Sequence, residues 1–147
     1  MAILRETLGT GDKRQAVIDD ACQVLDLEVA DKSGLSGAAI KAAFKVVKGI
    51  KPGFIREVVD TLLNEFLDAV QPVVDEADAA GTPAGQHLNA NSGRVAEALL
   101  EVTDARVERS ERAVIKKTYS KLRPGAMKHV QAAAPRLGEM LERHLDG

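Results

Sequence analysis

The sequence predicts an all-α protein, and three observations carry that expectation. Apolar residues recur at 3–4 spacing over most of the 147 residues, the period of an amphipathic helix. No segment shows the apolar–polar alternation of a half-buried strand. Aromatic residues make up only 3% of a chain rich in Ala, Leu and Val, whereas sandwiches and barrels lean on aromatic and β-branched residues. With 45% hydrophobic and 29% charged residues, the composition is that of a globular chain. Its length suits one domain over 1–147.

A short helix over Ala2–Leu8 is expected before Gly9, docked on the remaining helices or on a partner subunit. Asp12 is placed to cap the first long helix, with Val17, Ile18, Ala21, Cys22, Leu25 and Val29 on its face and an end near Ser33-Gly34. Ser36 caps a second helix, whose face is Ile40, Ala43, Phe44 and Val47. Lys51-Pro52-Gly53 closes that helix and puts Pro52 at the first position of a third. There Ile55, Val58, Val59, Leu62, Leu63, Phe66, Leu67 and Val70 form one stripe, and Arg56, Glu57, Asp60, Asn64 and Asp68 the other. Pro72 should kink or end it.

Residues 81–93 are rich in helix breakers and read as a joining loop with at most a turn around Gln86–Asn89. Periodicity resumes at Val95, Leu99 and Val102 and continues through Ile115, Tyr119 and Leu122, as one helix or two. Arg123-Pro124-Gly125 breaks it. A last, kinked helix carries Met127, Val130, Ala134, Leu137, Leu141 and Leu145, with its phase running through Pro135.

Four matches repeat in the same order along the chain. Leu27-Glu28-Val29-Ala30-Asp31 matches Leu100-Glu101-Val102-Thr103-Asp104, and Ile40-Lys41 with Phe44 matches Ile115-Lys116 with Tyr119. Lys51-Pro52-Gly53 matches Arg123-Pro124-Gly125, and the run Leu63–Asp68 matches Leu137–Glu142. These predict an internal duplication of a three-helix unit, repeat one over 12–80 and repeat two over 94–145. Some 70 residues make a poor core alone, so the two copies are expected to share one as a pseudo-two-fold bundle of six main helices.

The segments Leu35-Ser36-Gly37-Ala38-Ala39-Ile40-Lys41, Lys51-Pro52-Gly53 and Thr103-Asp104-Ala105-Arg106 resemble a small family of uncharacterised all-helical bacterial proteins. The resemblance spans most of the chain and implies no activity, substrate or binding residue.

Nothing in the sequence assembles a catalytic group. Glycine loops for phosphate and the strands that precede them are absent. His87, His129 and His144 lack metal-ligand spacing, and no Glu-x-x-His pair occurs. Asp19-Asp20 and Asp75-Glu76 cannot share a helix face and are expected in solvent. Lone Cys22 is a small packing residue. No metal, cofactor or enzymatic activity is therefore expected. With no leader-like start and no apolar run of membrane length, the expected location is cytoplasmic.

The bases are more informative. The net charge is −2, but residues 1–104 carry 10 bases and 17 acids, and residues 105–147 carry 10 bases and 5 acids. The repeat places positive charge twice at equivalent positions: Lys41 with Lys116, Lys51 with Arg123, and Arg56 with Lys128. Two Pro-Gly helix starts flanked by bases would suit an anion such as a phosphorylated ligand. Nucleic acid fits poorly, because aromatic platforms are missing, and no helix pairs a basic face with the aromatic one a membrane surface needs. The leading expectation is a helical binding module that engages another protein or a second copy, a homodimer included. The basic segment 105–128 would then meet the acidic face of 54–70, or a bundle cavity would hold an apolar ligand. The alternative is an anion site, for nucleic acid or a phosphorylated ligand, at the duplicated Lys/Arg-Pro-Gly positions.

Overall fold

The computed structural model describes residues 3–146 and, among them, seven helices and no strand. These are α1 (Leu4–Leu8), α2 (Gly11–Asp31), α3 (Gly34–Lys48), α4 (Phe54–Ala80), α5 (Ala84–Ala90), α6 (Ser92–Glu108) and α7 (Ala113–Asp146). The two long helices, α4 and α7, act as opposite pillars. Each packs against α1, α2, α3, α5 and α6, and they do not pack against each other. The core lies between them, built from Leu4, Leu8, Val17, Ile18, Leu63, Leu67, Val70, Val74, Leu88, Val95, Ala134 and Leu141.

Several boundaries differ from the sequence expectation for local reasons. Thr10 and Ser33, in extended backbone, precede α2 and α3, so Asp12 and Ser36 fall inside those helices. Gly53 takes the N-cap of α4 at φ 74°, a left-handed conformation that costs glycine little. Pro52 therefore sits in the preceding turn and not at the helix start. Of the expected first helix, Ala2 lies outside the described residues. The remainder docks on its own bundle, against α2, α4 and α7.

Three prolines lie inside helices, Pro72 in α4 and Pro124 and Pro135 in α7. An internal proline costs about 3 kcal/mol. After Pro72, Val73, Val74 and Ala77 are all buried. Burying a valine stabilises by about 1.5–3 kcal/mol, so the following turns more than offset the proline and α4 runs on to Ala80.

At Pro124 the hold is polar. Arg123 donates to both oxygens of Asp104 on α6, at 2.8 and 3.1 Å, and the Tyr119 hydroxyl donates to the same carboxylate at 2.5 Å. The turn before the proline is thus fixed to α6, and the helix continues. The expected break at 123–125 is absent, and the second half holds α6 and one continuous α7 in place of three helices. The 94–122 segment resolves into two helices, separated by a turn at 109–112.

Within 81–93 the expected turn around Gln86–Asn89 extends into a full helix, α5, flanked by short non-helical links, with Leu88 only 2% exposed and Gly85 set against Gly138 of α7. A Cβ on Gly85 would lie 2.6 Å from the Gly138 carbonyl oxygen, so glycine permits the crossing. Gly85 N–H also donates to Glu142 at 2.9 Å.

Ion pairs tie the helices together. Asp20, expected in solvent, has a side chain 17% exposed, pairs with Arg143 at 2.9 Å and lies 2.8 Å from the His144 ring. Buried Glu28 is held by Lys32 at 3.2 Å and Arg136 at 3.0 Å.

Glu76 of α4 accepts from Arg94 of α6 at 2.8 Å and lies 3.0 Å from the His87 ring of α5. Arg94 first, then His87, holds this carboxyl well below 4.5, at about 2. A carboxyl depressed in the folded state stabilises above its unfolded value and loses that contribution as pH falls toward the folded one. Wild type is therefore expected to exceed Glu76→Gln in urea midpoint at pH 5–6 by a margin that shrinks between pH 4.5 and 2. An equal margin at pH 6 and pH 2.5 would reject the clamp.

Candidate functional site

The apolar stripe of α4 outruns the core. Leu62, Leu63, Leu67, Val70, Val73 and Val74 are buried, but Phe54, Ile55, Val58 and Val59 remain partly exposed. Opposite them stand Val107 of α6 and Ile115 of α7, also partly exposed. Between the two walls lies an open groove of about 670 Å³, with Leu25 and Val47 contributed by α2 and α3. That volume falls within the range of ligand-sized clefts.

One rim of the groove is basic, because the last turn of α6 carries Arg106 and the turn that follows carries Arg109 and Arg112. The Arg112 guanidinium stacks 5.4 Å from the centre of the Phe54 ring, bridging the start of α4 and the approach to α7. Tyr119 lines the same groove, and its hydroxyl is 2.7 Å from Thr103 and donates to Asp104. Burial first, then the Asp104 carboxylate, pushes the Tyr119 phenol up, so it stays a donor at neutral pH. Arg123 first, then Tyr119, holds Asp104 below the usual carboxylate range. This pair of contacts fixes the wall and offers no base or nucleophile to the groove.

The six bases singled out by the repeat do not form one site. Lys51 pairs with Glu57 at 2.7 Å, Arg56 pairs with Asp19, and Arg123 pairs with Asp104. Lys41, Lys116 and Lys128 are exposed and form no ion pair among the described residues. Lys116 and Arg123 line a shallow recess beside Tyr119 and Pro124, whereas Lys41, Lys51 and Arg56 line neither that recess nor the groove. Pro124-Gly125 lies inside α7, so its neighbours have no free helix N-terminus to offer an anion. The start at Gly53 does exist, but Glu57 already stands in its first turn.

The acidic face of α4, expected to meet the basic segment of another copy, is likewise occupied. Asp60 holds Arg14 at 2.8 Å, Asp68 holds Arg5, and Glu57 holds Lys51. Sequence reasoning marked 105–128 as basic but missed that its arginines border an apolar groove. The signal available was an apolar stripe starting at Ile55 facing a positively charged turn.

Among the described residues, no three His, Cys, Asp or Glu side chains could hold a metal ion together. His129 is kept below its ordinary value by burial, then by Lys32 and Lys128. Cys22 packs against the core, and burial pushes its thiol up. No helix among the described residues is long and apolar enough to cross a membrane.

A family model matches residues 4–145, nearly the whole chain. The chain belongs to DUF6918, a family of unknown function. No curated protein and no solved structure matches it. Membership in this family brings no residue roles, so the groove rests on its own geometry.

Proposed function

We propose that the chain is a non-enzymatic, cytoplasmic binding module whose working surface is the groove between α4, α6 and α7. One observation carries this reading: the apolar stripe of α4 continues to Ile55, and its Ile55 and Val58 end is only partly covered between two helical walls. A concave, mostly apolar recess of ligand size with a few convergent polar groups is where binding sites form. The ordered matches at Leu27/Leu100, Ile40/Ile115, Lys51/Arg123 and Leu63/Leu137 support, on this reading, a duplicated ancestor whose second copy has fused its last two helices.

The test uses an anionic naphthalene-sulfonate dye, matched to the apolar floor and the arginine rim. Saturable binding is expected, with methyl shifts at Val58, Val107 and Ile115. Affinity should fall at least about tenfold in Val58→Asp and Ile115→Asp, the loss expected when a charge enters an apolar contact. Both side chains are partly exposed, and circular dichroism checks that the variants fold. Shifts elsewhere, or wild-type affinity in both folded variants, would overturn the reading.

A further inference from the structure

The chain has ten arginines, and seven of them are neutralised within the fold. Arg5, Arg14, Arg56, Arg94, Arg123, Arg136 and Arg143 each hold a carboxylate. Arg106, Arg109 and Arg112 form no ion pair among the described residues, and these three line the groove. The opposing acids there are few. Glu57 is taken by Lys51, which leaves Glu111 against three guanidinium groups. Just beyond, Lys116 shares the neighbouring recess with Glu108, and Lys117 follows on α7; none of the three forms an ion pair among the described residues.

We propose that the groove receives an acidic amphipathic helix of a partner protein, its apolar face on α4 and its carboxylates on Arg106, Arg109 and Arg112. This rests on the groove being the binding surface. The α4 wall presents Ile55, Val58 and Val59 above the buried Leu62 at the groove floor, the ridge of a helix that a second helix meets ridge into groove. From Ile55 to Leu62 is about 10.5 Å at 1.5 Å per residue, the reach of anchors at i, i+3 or i+4, and i+7. Guanidinium groups pair with carboxylates in two-pronged geometry. A single alkyl carboxylate would satisfy only one of them and leave its chain in an open-sided slot. A second copy offering the acidic face of α4 would first have to break its own pairs with Arg5, Arg14 and Lys51.

The experiment compares three ligands on the full chain by methyl NMR and fluorescence anisotropy. One is a 14-residue helical peptide with leucines at i, i+4 and i+7 flanked by glutamates; the second has lysines in their place; the third is decanoate. The acidic peptide is expected to bind at least about tenfold tighter than the basic one and to weaken with salt. The triple variant R106E/R109E/R112E should reverse the preference, while K41E/K45E on α3 should leave it unchanged. Equal affinity for both peptides, or decanoate alone shifting Val58, Val107 and Ile115, would overturn the acidic helix and keep the groove. A concentration-dependent dimer that covers those methyls would overturn it in favour of a second copy. Unmoved methyls with all three ligands would overturn the groove itself.

Discussion

Gly125→Ala is expected to stabilise the protein, and Gly138→Ala to destabilise it, although both residues lie in α7. A Cβ at Gly125 meets nothing closer than the His129 ring at 3.8 Å. Alanine there gains the helix propensity that glycine lacks, about 1 kcal/mol. At Gly138 the same gain is outweighed. Its Cβ would lie 2.8 Å from the Gly85 carbonyl oxygen and 3.1 Å from the Gly85 Cα. Those atoms are backbone of α5 and cannot swing aside. Overpacking a close crossing costs about 1–3 kcal/mol, more with a branched side chain, so Gly138→Val should lose at least about 3 kcal/mol. Gly85→Ala should also destabilise, because its Cβ would lie 2.6 Å from the Gly138 carbonyl oxygen, backbone of α7, and would displace Glu142 from its own N–H. Urea unfolding of the four variants measures this directly. Equal signs at Gly125 and Gly138 would show that the α5–α7 crossing is not tight.

Removing the two leucines of α1 has the other large effect. Leu4 is 0% and Leu8 1% exposed, so a helix of five residues supplies two of the best-buried side chains in the core. Such a helix has no stability of its own, since a nucleus costs more than so few hydrogen bonds return. Its hold is tertiary. Leu4 N–H donates to Gln71 at 2.7 Å, Arg5 pairs with Asp68, and Arg14 donates to the Gly9 carbonyl at 2.9 Å. Leu→Ala in a core costs about 2–5 kcal/mol. Leu4→Ala and Leu8→Ala should each fall in that range, and the pair should bring the domain near its unfolding threshold. Thermal unfolding with amide exchange at α4 and α7 reads the result. A double variant within about 1 kcal/mol of wild type would mean that the core closes without α1.

The helical class, and the stripe on α4 from Ile55 to Val70, were legible because a 3.6-residue period needs only local sequence to appear. So was the excess of bases after Asp104. The fate of a proline was not legible. Lys51-Pro52-Gly53 and Arg123-Pro124-Gly125 are the same signal in sequence. The first turns, with Gly53 at φ 74°, and the second continues because Asp104 grips Arg123 and Tyr119 on its near side. Residues 81–93 misled for a related reason: Gly85 resembles a breaker along the chain, yet across the chain it is what lets α5 touch α7.

Local residue spacing is enough to make the chain helical, to place its apolar faces and to show which half carries the positive charge. Tertiary structure decided which breakers break, which apolar residues stay uncovered and which bases stay free. Periodicity is a property of neighbours three and four residues apart. Neutralisation of a charge depends on a partner that is often distant, as with Arg136 and Glu28, 108 residues apart. Only the folded chain, by pairing seven arginines and leaving Arg106, Arg109 and Arg112 at the groove, turns a basic segment into a candidate site.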